Sequence, residues 1–178
     1  AWPGVHQWAH LAFVRASGVI KIYVDGVSQT LSTNTNPSAN LTDIAAALRI
    51  GDYNGGNNLN GYLDEIRISN SARDTANFTP DTTEFSNDAN TKLLIHSNTT
   101  MGSTTFTDSS SGAHTITANG DVMNVAPKIG TGMAAFDGTG DYLSEASGTG
   151  LAFGTSDFTL EGWVSFSVVQ NQGIMLLT

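Results

Sequence analysis

Short runs in which apolar and polar residues alternate, each closed by glycine, asparagine, aspartate or serine, constrain this chain more than any other feature. They occur as "HLAFV", "IKIYVD", "ALRIG", "GYLDEIRIS", "KLLIH", "HTITAN", "GMAAFD", "DYLSE", "DFTLEGWVSFSV" and "GIMLL". A period of two sends successive side chains to opposite faces of an extended backbone, so each run predicts a strand with one face for a core. Between the runs, "SGV", "DGVSQ", "DYNGGNNLNG", "SSSGAH" and "DGTGD" supply residues that accept positive φ or cap their own backbone. "WAHLAFVRASGVIKIYVDG" reads as two strands folded back through Ala16, Ser17 and Gly18, and Asp25–Gly26 predicts a type I′ turn. Only "LTDIAAALR" predicts a helical turn, opened by Thr42.

Composition points the same way. The chain has 178 residues, 39% hydrophobic and only 13% charged, which suits one all-β domain with many turns. Seven Lys and Arg against sixteen Asp and Glu give a net charge of −9, a field that repels phosphate backbones and anionic lipid head groups. Neither nucleic acid nor membrane insertion is expected, and no apolar run approaches the roughly 20 residues of a membrane helix. Cysteine is absent, which removes disulfides, thiolate metal sites and cysteine nucleophiles together. No signal peptide is recognisable.

The polar run "NFTPDTTEFSNDANT" has no apolar periodicity and contains a proline, so it reads as a linker or an extended surface connection with its centre at 79–90. It divides the chain into 1–78 and 91–178, neither with enough strands to close a sandwich comfortably by itself. The halves are expected to form one domain together.

The second half, through "FDGTGDYLSEASGTGLAFGTSDFTLEGWVSFSV", resembles the amino-terminal half of a laminin G-like, concanavalin A-like lectin-glucanase domain. "WAHLAFVRASGVIKIYVDGV" with "LRIGDYNGGNNLNGYLDEIRIS" resembles the carboxy-terminal half, and "TKLLIHSNTT" with "FTDSSSGAHTITANGD" the family's opening strands. The resemblance implies an antiparallel two-sheet jelly-roll sandwich. The halves stand in inverted order, as from the end of one tandem repeat and the start of the next, so the expected domain is circularly permuted. Relatives carry roughly one or two further strands between the "FTLEGWV" and "WAHLAFV" strands. Without them a sheet edge is expected to lie open, which invites a homodimer.

Among polar residues Asp64 is the most informative. Strict alternation in "GYLDEIRIS" places Tyr62, Asp64, Ile66 and Ile68 on one face and Leu63, Glu65 and Arg67 on the other. A carboxylate among aliphatics needs a partner, whether a cation, backbone amides or a hydroxyl. The resemblance implies a structural Ca²⁺ near the chain-end strands, with Asp64, Asn98 and Asp137 as candidate ligands. Asn98 stands where relatives often have an acidic residue, which weakens such a site. Asp137 and Asp141 flank the glycine-rich "DGTGD", a pattern that a tight turn alone also selects. For ligand binding, Tyr53, Asn54, Asn57 and Asn58 offer one aromatic face and several amides on a loop. Trp163 shares a strand face with Glu161 and Ser165, away from the most apolar side, and is a candidate stacking platform. His6, His10, His96 and His114 show no zinc-ligand spacing, and no GxSxG elbow occurs.

Concanavalin A-like hydrolases would need two carboxylates facing one sugar, roughly 5 to 9.5 Å apart. No ExDxE-type spacing provides them: Asp64 and Glu65 are adjacent, and Glu161 has no acidic residue two places away. The expectation is a noncatalytic module that binds a glycan or a protein surface, extracellular or on a cell or virion surface. A structural repeat without a ligand is the alternative, and a hydrolase the third reading.

Overall fold

Two turns with positive φ at both central residues set the first three strands. They are Ser17–Gly18 at 49° and 75° and Asp25–Gly26 at 49° and 73°, the type I′ geometry that matches strand twist. They join β1 (Trp8–Ala16), β2 (Val19–Val24) and β3 (Val27–Ser28). The computed structural model describes residues 3–31, 47–53, 56–146, 150–168 and 170–177. Further strands are β4 (Leu48–Ile50), β5 (Asn60–Ser69), β6 (Thr91–Ile95), β7 (Ile116–Asn119) and β8 (Met123–Val125). They are followed by β9 (Met133–Asp137), β10 (Tyr142–Glu145), β11 (Phe158–Phe166) and β12 (Met175–Leu177). The described residues contain no helix. Of the expected helical turn, residues 41–46 lie outside the described residues, and Leu48 and Arg49 are strand.

The strands form an antiparallel all-β sandwich. Eight lie in one sheet, in the order β3-β2-β1-β11-β5-β9-β8 with β6 also on β5, and four in the other, in the order β12-β4-β10-β7. β11, from the second half of the chain, is inserted between β1 and β5 of the first half. On its other edge β5 pairs β9 through Asn60–Leu63 and β6 through Ile66–Ser69. Strands of the two halves therefore alternate across one sheet. Between the sheets lie Leu48, Ile50, Leu63, Ile66, Ile68, Leu93, Ile95, Phe136, Leu143, Phe158 and Val164, all buried. The Arg15 guanidinium closes one end of this core, donating to the Gly154 and Ser156 carbonyls and stacking over Phe158.

One irregularity in β5 revises the sequence reading. Glu161 pairs Arg67 but Trp163 pairs Asp64, so Gly162 faces two residues of β5, a β-bulge in which Glu65 takes φ 51°. The extra residue breaks the alternation. Leu63, Ile66 and Ile68 face the core, and Asp64 turns to the outer side, not to the side of Ile66 and Ile68.

The outer face of the large sheet is itself covered. The expected linker, 79–90, has no strand but crosses this face as a packed strap. Just ahead of it, Phe78 packs against Ala12, Val14 and Tyr23, and within it Phe85, 3% exposed, packs against Leu94, Ile129 and Trp163. The Phe78 amide donates to the Gly26 carbonyl at 3.0 Å, the Phe85 amide to Glu65 Oε2 at 2.6 Å, and Arg67 lies 4.2 Å over the Phe85 ring. Gly26 is required here, because a Cβ would stand 1.9 Å from the Phe78 carbonyl oxygen. Two aromatics six or more residues from a strand have no period to reveal them, which is why the run reads as a linker.

Truncating a buried Phe costs about 3–5 kcal/mol. Phe85→Ala is expected to lower the urea unfolding free energy by about that amount. A loss below about 1 kcal/mol would show the strap to be dispensable to the fold.

Candidate functional site

At one end of the sandwich three connections meet: the β4–β5 loop, the turn after β7 and the β9–β10 turn. Their meeting is enforced by one side chain. Asp141 accepts the Asp121 amide on Oδ1 at 2.9 Å and the Asp137 amide on Oδ2 at 2.8 Å, drawing both residues toward it. Gly120, at φ 73°, makes the approach feasible, since a Cβ there would lie 2.2 Å from Asp141 Oδ1. Carboxylate oxygens of Asp121, Asp137 and Asp141 consequently fall within 4.8 Å of one another. Asp121 and Asp137 are exposed, whereas Asp141 is buried. Burial pushes the Asp141 carboxyl above its ordinary pKa, the two amides oppose this, and the charges of Asp121 and Asp137 add to it. Such a trio of hard oxygen donors could hold a metal ion.

The β4–β5 loop is fastened to this cluster by asparagines. Asn58 Oδ1 accepts the Gly140 amide at 2.9 Å, and its Nδ2 donates to the Asp141 carbonyl at 3.2 Å and to Asp52 Oδ1 at 3.3 Å. Asn60 Nδ2 donates to the Asp137 carbonyl at 2.9 Å. Arg49 holds Asp52 at 2.8 Å and lies over the Tyr142 ring. On this braced base Tyr53 stands 55% exposed, with the Asn57 amide donating to its carbonyl at 3.3 Å.

The sequence-derived ligand residues thus separate. Tyr53 and Asn57 are on the accessible rim. Asn58 is a buried brace with its amide group fully engaged, and Asn54 lies outside the described residues. Trp163 does point to the outer face with Glu161 and Ser165, but it is 8% exposed. Lys128 lies 4.7 Å from its ring centroid, His10 meets its edge and Phe85 packs on it, so no sugar can stack there in this fold.

The three expected metal ligands separate as well. Asp137 belongs to the rim cluster. Asp64 lies four residues from the partner of Asp137 along β5, about 13 Å at the strand rise. Its oxygens accept the amides of Glu65 at 2.9 Å, Lys128 at 3.0 Å and Ile129 at 2.8 Å, so backbone amides are its partner. Asn98 accepts the Thr131 amide at 2.7 Å and donates to Glu84 at 2.6 Å. Asp121, which sequence reasoning missed, joins Asp137 only through the sheet. Its one local signal is the Gly-Asp pair that follows a strand.

The other buried carboxylates are committed to ion pairs. Glu161 meets Arg67 at 2.8 Å, His10 at 3.4 Å and Arg73 at 3.6 Å. Burial works against its charge, yet His10 and Arg67 outweigh burial and hold its pKa below the usual value. Glu65 accepts the Phe85 amide and sits 2.7 Å from His96 Nδ1.

Residues 3–77 match the laminin G-type family model described as the concanavalin A-like lectin/glucanases superfamily. No curated protein and no solved structure matches the chain.

Burial raises the Asp64 pKa to about 7, against the pull of its amide bonds and with a push from the Glu65 charge. The folded chain therefore keeps a proton that the unfolded chain releases near pH 4, and the resulting stability is lost as pH rises toward 7. His96, whose pKa the Glu65 hydrogen bond raises, acts in the same direction from about pH 6.5 upward. The melting temperature is expected to fall by about 3 °C or more between pH 5.5 and 8. Asp64→Asn is expected to flatten the part below pH 7, and a profile that rises with pH contradicts the assignment.

Proposed function

We propose that this chain, with residues 3–77 in the concanavalin A-like lectin/glucanase superfamily, is a noncatalytic carbohydrate-binding module whose ligand sits on the Tyr53 rim beside Asp121, Asp137 and Asp141. The observation that carries the reading is an exposed aromatic face on a braced loop next to a carboxylate cluster. Stacking of a sugar ring on an aromatic side chain with hydrogen bonds from neighbouring amides and carboxylates is the chemistry this surface offers.

Calcium suits the cluster better than softer or more exacting cations. The donors are all carboxylate oxygens, two are exposed, and they lie on turns that can adjust to the variable coordination of Ca²⁺. When bound, the ion would neutralise the repulsion among the three acids and offer a coordination position to sugar hydroxyls. Three carboxylates without a preformed cage suit the weak sites of extracellular modules, with dissociation constants on the order of 0.1–1 mM. This fits a setting outside the cell, on a cell surface or on a virion. Turnover is not part of the proposal, because Glu161, Glu65 and Asp64 are consumed by Arg67, His96 and backbone amides.

Glycan-array binding with Ca²⁺ present is expected to fall at least tenfold in Tyr53→Ala and on addition of chelator. Asp137→Asn is expected to abolish the chelator-sensitive rise in melting temperature, through loss of ligand linkage to the folded state. Binding that survives Tyr53→Ala unchanged places the sugar elsewhere. A melting curve indifferent to both Ca²⁺ and chelator removes the metal.

A further inference from the structure

The chain leaves β5 and returns to β6 at one place. Ser69 pairs Thr91, the Asn70 amide donates to the Asn90 carbonyl at 3.0 Å, and Arg73 holds Asp88 by two bonds of 3.0 Å. Arg73 also donates to Ser69 Oγ at 2.6 Å and to Thr91 Oγ1 at 3.0 Å. The excursion is therefore a loop of the Ω kind, its ends fastened to one another. These neck bonds involve none of the residues that cross the outer face.

The body of the loop is held more lightly. Between Thr75 and Asn87 only Phe85 is fully buried, while Phe78 and Pro80 are half-buried. Its ties from Thr75 to Lys21, from Asn77 to Ser28 and from Glu84 to Asn98 lie at the surface, where water replaces them at small cost. Beneath it are polar atoms that closure leaves unserved. Tyr23 is 0% exposed, His10 1% and Trp163 8%, and Tyr23 Oη, His10 Nδ1 and Trp163 Nε1 have no hydrogen-bond partner among the described residues. Each belongs to a ring under one of the two anchors. Phe78 stands 5.4 Å from Tyr23 and 5.7 Å from His10, and Phe85 stands 5.9 Å from His10 and packs on Trp163. A buried donor or acceptor without a partner carries its full desolvation cost, so covering these three groups opposes the aromatic packing that closes the loop.

We propose that residues 74–87 form a lid that opens as one unit about the Arg73–Asp88 neck while the sandwich stays folded, uncovering a polar aromatic face of Tyr23, His10 and Trp163 beside Glu161 and Arg67. The ladders among β1, β2, β11 and β5 and the core between the sheets contain no residue of the loop, so lifting it leaves both intact. His10 lies under both anchors, so release of one admits water beside the other and the two open together. The lid thus controls access to the outer face independently of the Tyr53 rim.

The test is native-state hydrogen exchange of the intact chain, read amide by amide at low urea concentrations. The Phe78 and Phe85 amides, which donate to Gly26 and Glu65, are expected to share one opening free energy and to exchange about a hundredfold or more faster than the paired amides of β1 and β11. Their exchange is expected to depend less on urea than global unfolding does, because less surface is exposed. Tyr23→Phe removes the unpaired hydroxyl from the closed state only, and is expected to slow exchange at Phe78 and Phe85 by about fivefold or more. Exchange of the two amides at the rate of the β1 and β11 amides, separate openings for Phe78 and Phe85, or unchanged or faster exchange in Tyr23→Phe would each overturn the proposal.

Discussion

The bulge at Asp64 and Glu65 is the constraint on which the rest of the molecule depends. β5 is the only described strand with three partners, β11 along one edge and β9 and β6 in succession along the other. One additional residue in that strand sends two successive carboxylates, both without solvent exposure, to the outer face. A buried carboxylate left alone costs several kcal/mol, so these two require donors. The donors are backbone amides: Asp64 takes those of Lys128 and Ile129, and Glu65 takes that of Phe85. A local irregularity in one strand thereby fixes the paths of two segments remote from it in sequence.

The same demand organises the remainder of the outer face. Glu161, opposite Arg67 on β11, gathers Arg67, Arg73 and His10, and Arg73 in turn holds Asp88 with two bonds of 3.0 Å. Arg67 also reaches the Ser86 carbonyl and stacks on Phe85. The strap is therefore tied to the sheet by charge at Asp88, by a main-chain bond at Phe85 and by aromatic packing at Phe78. Trp163 and His10, which would make a binding surface on an uncovered sheet, become part of a second small core. A sandwich with a third, irregular layer is the result, and accessible chemistry is displaced from the sheet face to the rim.

What could be read in the sequence followed the range of each rule. Period-two runs located ten of the strands and the inner face of β11, because alternation is a local property that burial on one side enforces. Ser17–Gly18 and Asp25–Gly26 were legible as turns because positive φ selects so few residues. β3 and β8, of two and three residues, lie outside the alternating runs. The face of Asp64 was misread, since a bulge shifts the alternation by one and nothing in "GYLDEIRIS" marks where. Phe78 and Phe85 were hidden in a polar run, and Asp121 stands 20 residues from Asp141, a closeness that only the β7–β10 pairing creates.

The two halves of the chain contribute unequally to the two sheets. β1 and β11 pair over eight residues, the longest register in the molecule, so the two halves are joined most firmly in the large sheet. Among the described residues the small sheet draws four short strands and ends at β12. Hydrophobic patterning in β1, β2 and β11 nevertheless specifies a full inner face, with Phe13 stacked on Phe158 at 5.9 Å and Ile22 beyond it. Among the described residues the large sheet is patterned for more cover than the small sheet provides. Side chains chosen for burial but left half-exposed lose part of their transfer free energy, about 25 cal/mol for each Å² still in water.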